Sequence, residues 1–93
     1  MKEYLTKQHK RNNGVQKIYK FPNGYGASVI CNPYSYGGDM GLWEIAVLDK
    51  NDNLTYKTPI TDDVIGYLND DEVVEVLNKI KELEKWNNIR LNL

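Results

Sequence analysis

Apolar positions in this chain recur every second residue between Val15 and Leu48, and at helical spacing between Val73 and Leu83. The first period marks strands with two distinct faces, the second one stripe of a helix. Val15, Lys17, Tyr19 and Phe21 alternate with Gln16, Ile18 and Lys20, a strand of mixed faces near a sheet edge. Phe21-Pro22-Asn23-Gly24 then turns the chain: Pro presets φ, Asn tolerates the next position and Gly supplies the left-handed one. The hairpin partner, Tyr25 to Cys31, sets Tyr25, Ala27, Val29 and Cys31 against Gly26, Ser28 and Ile30. Leu42 to Leu48 is apolar on both faces except at Glu44, which predicts a central strand.

Residues 49–53 form a turn, and Leu54 to Lys57 read as the returning strand, ended by Thr58-Pro59. Thr61-Asp62-Asp63-Val64-Ile65 reads as a short helix capped by Thr61. Asn69 and Glu72 form a capping box opening the main helix. Its stripe is Val73, Val76, Leu77, Ile80 and Leu83, and it is expected to end near Trp86-Asn87-Asn88. Ile89, Leu91 and Leu93 alternate with polar residues and predict one further edge strand. Residues 1–13 show no period and read as a basic, mobile arm with a helical turn near Tyr4 and Leu5. The expected architecture is α+β. An antiparallel meander of three to four strands packs against one C-terminal helix, with 14–93 as a single domain.

Composition sharpens this picture. A chain of 93 residues supports one modest core. One cysteine, Cys31, permits no internal disulfide, which points to a reducing compartment. No leader segment and no apolar run long enough to cross a bilayer is visible, so a cytoplasmic protein without membrane contact is expected. Charge is unevenly spread: residues 1–20 hold six Lys/Arg against one Glu, the remainder six Lys/Arg against twelve Asp/Glu. A basic leading segment sits on an acidic body.

Motifs for chemistry fail on inspection. Asp49-Lys50-Asn51-Asp52-Asn53 begins like a calcium loop, but Leu54 replaces the required Gly and Ile60 the bidentate Glu. Gly24-Tyr25-Gly26 lacks the third glycine of a dinucleotide fingerprint at Val29. His9 and Cys31 stand alone, too few to hold a metal, and Ser28 and Ser35 lack a nucleophile-elbow context. No enzyme activity, cofactor or metal is therefore expected. The acidic residues Asp62, Asp63, Asp70 and Asp71 sit where helix N-termini favour negative charge, yet also form a rim for a basic partner.

The loop Asn32-Pro33-Tyr34-Ser35-Tyr36-Gly37-Gly38-Asp39-Met40-Gly41 is the best recognition candidate. Rigid aromatic area, glycines and a carboxylate are the composition of contact loops. Either Tyr34, Tyr36 and Asp39 face a protein partner, or the tyrosines fold back to cap the sheet. A second reading places nucleic acid on Lys7, Lys10, Arg11, Lys17 and Lys20, with Tyr4 or Tyr19 stacking. An exposed edge, Val15 to Lys20 or Ile89 to Leu93, would allow a homodimer by strand addition.

The runs Phe21-Pro22-Asn23-Gly24-Tyr25-Gly26-Ala27-Ser28-Val29, Tyr34-Ser35-Tyr36-Gly37-Gly38, Gly41-Leu42-Trp43-Glu44 and Thr58-Pro59-Ile60-Thr61-Asp62-Asp63-Val64 carry a resemblance. Residues 20–83 resemble small proteins encoded by phages and prophages of Gram-positive bacteria. That resemblance carries no assigned activity and transfers no site residue. It implies an accessory protein that binds a host or phage protein in the host cytoplasm, for example to inhibit a defence system such as a CRISPR nuclease.

Overall fold

The computed structural model describes residues 1–61 and 63–83. Five described strands run in chain order across one antiparallel sheet: β1 (Leu5–Arg11), β2 (Gly14–Lys20), β3 (Gly26–Cys31), β4 (Trp43–Leu48) and β5 (Ile65–Leu68). The one described α-helix, α1 (Asp70–Lys81), crosses one face. The α+β meander packed on a helix thus holds, with more strands than three or four.

Register explains the two faces. Tyr19 pairs with Ala27, which pairs with Val47, and Val29 pairs with Ile45. These residues, with Phe21, Tyr25 and Leu68, form the buried face under Val73, Leu77 and Ile80 of α1. Val76 and Leu83 pack at its margin, so the whole predicted stripe is used. Burying each such aliphatic side chain contributes roughly 1.5–3 kcal/mol. The opposite face carries Gln16, Ile18, Ser28, Ile30, Glu44 and Ala46, and no described helix lies over it.

The helix start is as expected. Asn69 Oδ1 accepts from Glu72 N at 2.8 Å, and Glu72 Oε1 accepts from Asn69 N at 3.0 Å. Its end comes earlier, at Lys81. There the Asn23 amide donates to the carbonyls of Ile80, Lys81 and Leu83 at 2.8, 3.0 and 3.0 Å. The turn between β2 and β3 therefore caps the helix C-terminus, satisfying orphan carbonyls that a helix leaves open. Residues 86–88 and the expected strand over 89–93 lie outside the described residues, as does Asp62.

Four expectations are corrected. Residues 1–13 are not an arm: Leu5–Arg11 is a strand paired along β2. A two-residue turn makes it so, with Asn12 and Asn13 both left-handed at φ 54° and 62°, the type I′ geometry that matches strand twist. Consequently β2 is interior, and Val15 to Lys20 offers no edge. The returning strand at Leu54 to Lys57 shrinks to a single Leu48–Leu54 bridge, and β5 supplies the strand beside Trp43 and Ile45. The short helix opened by Thr61 does not form. Thr61 Oγ1 accepts from Asp63 N and Asp63 Oδ1 from Val64 N, so capping side chains build a turn that delivers Ile65 into β5.

Candidate functional site

The connection between β3 and β4 is held internally at almost every step. Asn32 Oδ1 accepts from Tyr34 N at 2.7 Å and Ser35 N at 2.9 Å. The buried Ser35 hydroxyl accepts from Asn32 N at 2.9 Å and donates to Asn32 O at 3.0 Å. Gly38 fits because a Cβ there would overlap the Asn32 carbonyl oxygen. Glu44 reaches from β4 to accept from Tyr36 N at 2.9 Å, and Leu42 N donates to Gly37 O at 2.9 Å. The backbone of this loop is thereby preorganised, and its aromatic rings are left outward. Tyr34 is 84% exposed and Tyr36 58%.

The loop docks on β5. Tyr67 N donates to Tyr36 O at 3.1 Å. Gly66 admits this close approach, since a Cβ on it would collide with the Cβ of Tyr36. Trp43 and Ile45 pair with Leu68 and Ile65, so β5 spends one residue more than β4 over the same span. The surplus is taken up by Tyr67 at φ 59°, a costly conformation for an aromatic residue. Tyr67 is 59% exposed. Met40, in the short 3₁₀ turn Gly38–Met40, is 67% exposed.

Tyr34, Tyr36, Met40 and Tyr67 thus occupy one end of the sheet, and the helix N-terminus follows three residues after Tyr67. Asp70 is fixed there, its Oδ1 accepting from the Trp43 indole N–H at 2.9 Å. Asp71 lies exposed in the same first turn, and Asp39 is exposed in the 3₁₀ turn. Asp63 stands before β5, toward its other end, and spends its carboxylate on Val64 N. Of the predicted set, Tyr34, Tyr36, Asp39, Asp70 and Asp71 come to this end of the molecule. Tyr67 and Met40 were not predicted. Gly66-Tyr67 inside an apolar run was the available signal, because a glycine in a strand marks close backbone approach.

The five predicted cations are divided. Lys7, Arg11 and Lys20 lie on the open face, Lys10 and Lys17 on the helix face, by register. Lys17 stacks over Trp43 at 4.9 Å, and Lys20 pairs with Asp52 at 2.6 Å. Arg11 Nη1 donates to Gln16 Oε1 at 3.4 Å. Three of the five are already engaged, and no single basic surface collects all of them.

Two adjoining grooves of about 290 and 320 Å³ lie on the open face and share Gln16, Ser28 and Leu54. A polar chain crosses them: His9 Nε2 lies 2.9 Å from Gln16 Oε1, and Gln16 Nε2 donates to Ser28 Oγ at 3.0 Å. The order imitates a relay, but an amide between imidazole and hydroxyl cannot take the hydroxyl proton, so this chain does not activate Ser28. Among the described residues no group of three or more His, Cys, Asp or Glu could hold a metal. No described helix is long and apolar enough to cross a membrane. Burial raises the phenols of Tyr19 and Tyr25 above their ordinary range.

The fold and this end of it define an antiparallel α+β domain presenting a braced aromatic loop. No family model, curated protein or solved structure matches the chain.

Proposed function

We propose that this protein works by binding another protein through the surface formed by Tyr34, Tyr36, Tyr67 and Met40, flanked by Asp70 and Asp71. In the setting suggested by the phage resemblance, it is a non-enzymatic accessory protein that occludes a host factor, with defence nucleases as the leading class. One observation carries the reading. Tyr67 keeps a left-handed backbone while leaving its ring in solvent. Strain of this kind costs roughly 1–3 kcal/mol and persists where the surroundings impose it, as at recognition sites. Tyr rings on a rigid frame lose little entropy on contact, which makes them effective anchors. The flanking carboxylates suit a partner with a basic rim.

The test is capture from lysates of Gram-positive host cells by immobilised protein. Wild type is compared with Tyr34→Ser/Tyr36→Ser and, separately, Tyr67→Asn. Asn tolerates a left-handed backbone, so Tyr67→Asn removes the ring without adding strain. Loss of the same captured protein in both variants is the expected result. Equal capture by all three refutes the reading.

A further inference from the structure

The sheet's other edge carries a second binding device. Among the described residues β1 has no strand on its outer side, and every residue from Thr6 to Arg11 is exposed. The left-handed pair Asn12-Asn13 makes a type I′ turn, which closes on Arg11 and Gly14 as a hydrogen-bonded pair. Pairs alternate along an antiparallel ladder, so Gln8 and Lys10 turn their N–H and C=O groups to the free side. These are the groups an added strand would use. The side chains beside them are cationic. Lys7 and Arg11 flank His9 on the open face, Lys10 lies on the other, and β1 contains no carboxylate. Among the described residues, ion pairs engage neither Lys7, Lys10 nor Arg11.

We infer that β1 accepts an extended acidic segment of a partner protein by strand addition, with carboxylates at alternate positions opposite Lys7, His9 and Arg11. The charge pattern selects this occupant. A second copy paired through β1 in the antiparallel sense would set Lys and Arg against Lys and Arg, and like charges directly opposite oppose pairing. Lysine-rich edges commonly serve only to prevent self-association. Here the same charges refuse a copy of this chain and favour an acidic strand, while the exposed backbone donors and acceptors reward an extended conformation. A disordered or nucleic-acid polyanion would use the charges but not the donors. The site lies across the sheet from the aromatic end and does not depend on it.

The experiment is a titration of ¹⁵N-labelled protein with a capped peptide of about seven residues alternating Glu and Thr. Three companions are used: the same peptide N-methylated on the amides that face β1, a Lys-for-Glu version, and an oligothymidylate of equal charge. Expected are saturable shift changes confined to β1 and β2, and at least about tenfold slower amide exchange at Gln8 and Lys10. N-methylation and charge reversal should each abolish both. Lys7→Glu/Arg11→Glu should transfer binding to the Lys peptide, and Tyr67→Asn should change nothing. Equal binding of the N-methylated peptide overturns the inference, since charge alone then suffices. So does oligothymidylate binding as tightly as the Glu peptide without slowing those amides. Protection of Gln8 and Lys10 that grows with protein concentration, with no peptide present, overturns it in favour of a second copy.

Discussion

Among the described strands, β1 and β5 close the same sheet on opposite sides, and they solve the edge problem differently. β1 runs seven residues, contributes only Leu5 to the core margin, and is guarded by Lys7, Lys10 and Arg11. β5 runs four residues, sends Leu68 into the core, and is guarded by geometry: a left-handed Tyr67 whose amide is taken by Tyr36. An unpaired edge invites any strand, so each device excludes indiscriminate pairing at its own cost. Charge costs little stability but acts only against like charge. Geometry costs backbone strain but leaves a shaped surface. One edge is therefore selective by electrostatics and the other by fixed aromatic contact.

One expected effect strikes both edges together. They rest on one core, in which burial holds the Tyr19 and Tyr25 phenols protonated beyond their ordinary value of 10.0. The unfolded chain releases those protons first. Their contribution is complete below pH about 10 and is lost as pH rises through the folded values. Urea midpoints should hold steady up to that pH and fall above it, with β1 and β5 amides losing protection together. Loss of β5 protection at a lower pH than β1 would show two separable halves instead of one core.

A second change touches one edge alone. Gly66→Val drives a side chain into the Cβ of Tyr36, an overpacking that costs about 2–3 kcal/mol. Denaturant unfolding should show this loss, and the Tyr36 amide should exchange faster. Stability within about 0.5 kcal/mol of wild type, the range of a neutral surface change, would mean that the loop is not seated on β5. Asn23→Ala should cost about 1–2 kcal/mol, because it abandons three helix-end carbonyls and the acceptor for Tyr25 N at 3.0 Å. The same measurement reads it. A cost below about 0.5 kcal/mol would show that water replaces the amide as cap.

How far these features were legible depends on what each residue buries. β2, β3, β4 and α1 could be read because Tyr19, Val29, Ile45 and Leu77 face one core at strand or helix spacing. β1 could not, since its side chains are wet on both faces and its pairing is made by backbone. Only Asn12-Asn13 marked it, and two adjacent asparagines ahead of Gly14 are a hairpin signal easily taken for a linker. The calcium-like pattern at residues 49–54 dissolved into a tight turn, with Asp49 Oδ1 accepting from Asn51 N and Asn53 N. Tyr34 and Tyr36 were legible as loop aromatics. At Tyr67 only the neighbouring Gly66 hinted at a close approach, because the ring's exposure follows from the one-residue excess of β5 over β4, a property of register.

That excess gives a smaller prediction of opposite sign. Tyr67→Asn relieves a conformation disfavoured for aromatic residues, so stability should rise by up to about 1 kcal/mol. A fall of that size in urea unfolding would mean the Tyr67 ring contributes packing, and that the strain is not held for contact alone.

The smallest effect on stability belongs to β1, and it tests the electrostatic half of the comparison. Lys7→Thr/Lys10→Thr/Arg11→Thr removes three exposed cations and inserts residues that favour strands. Stability should change by no more than about 0.5 kcal/mol, as for other exposed sites. Association should change far more. With the charges gone, Gln8 and Lys10→Thr still offer free backbone groups, and a second copy can add its own edge. Sedimentation equilibrium should show wild type monomeric at low salt and the variant dimerising. Salt near 1 M, which shortens the screening length to about 3 Å, should push wild type the same way. A variant that stays monomeric at every concentration would mean that the bulge between Leu5 and Lys7, and not charge, keeps this edge apart. Both edges would then be guarded by shape.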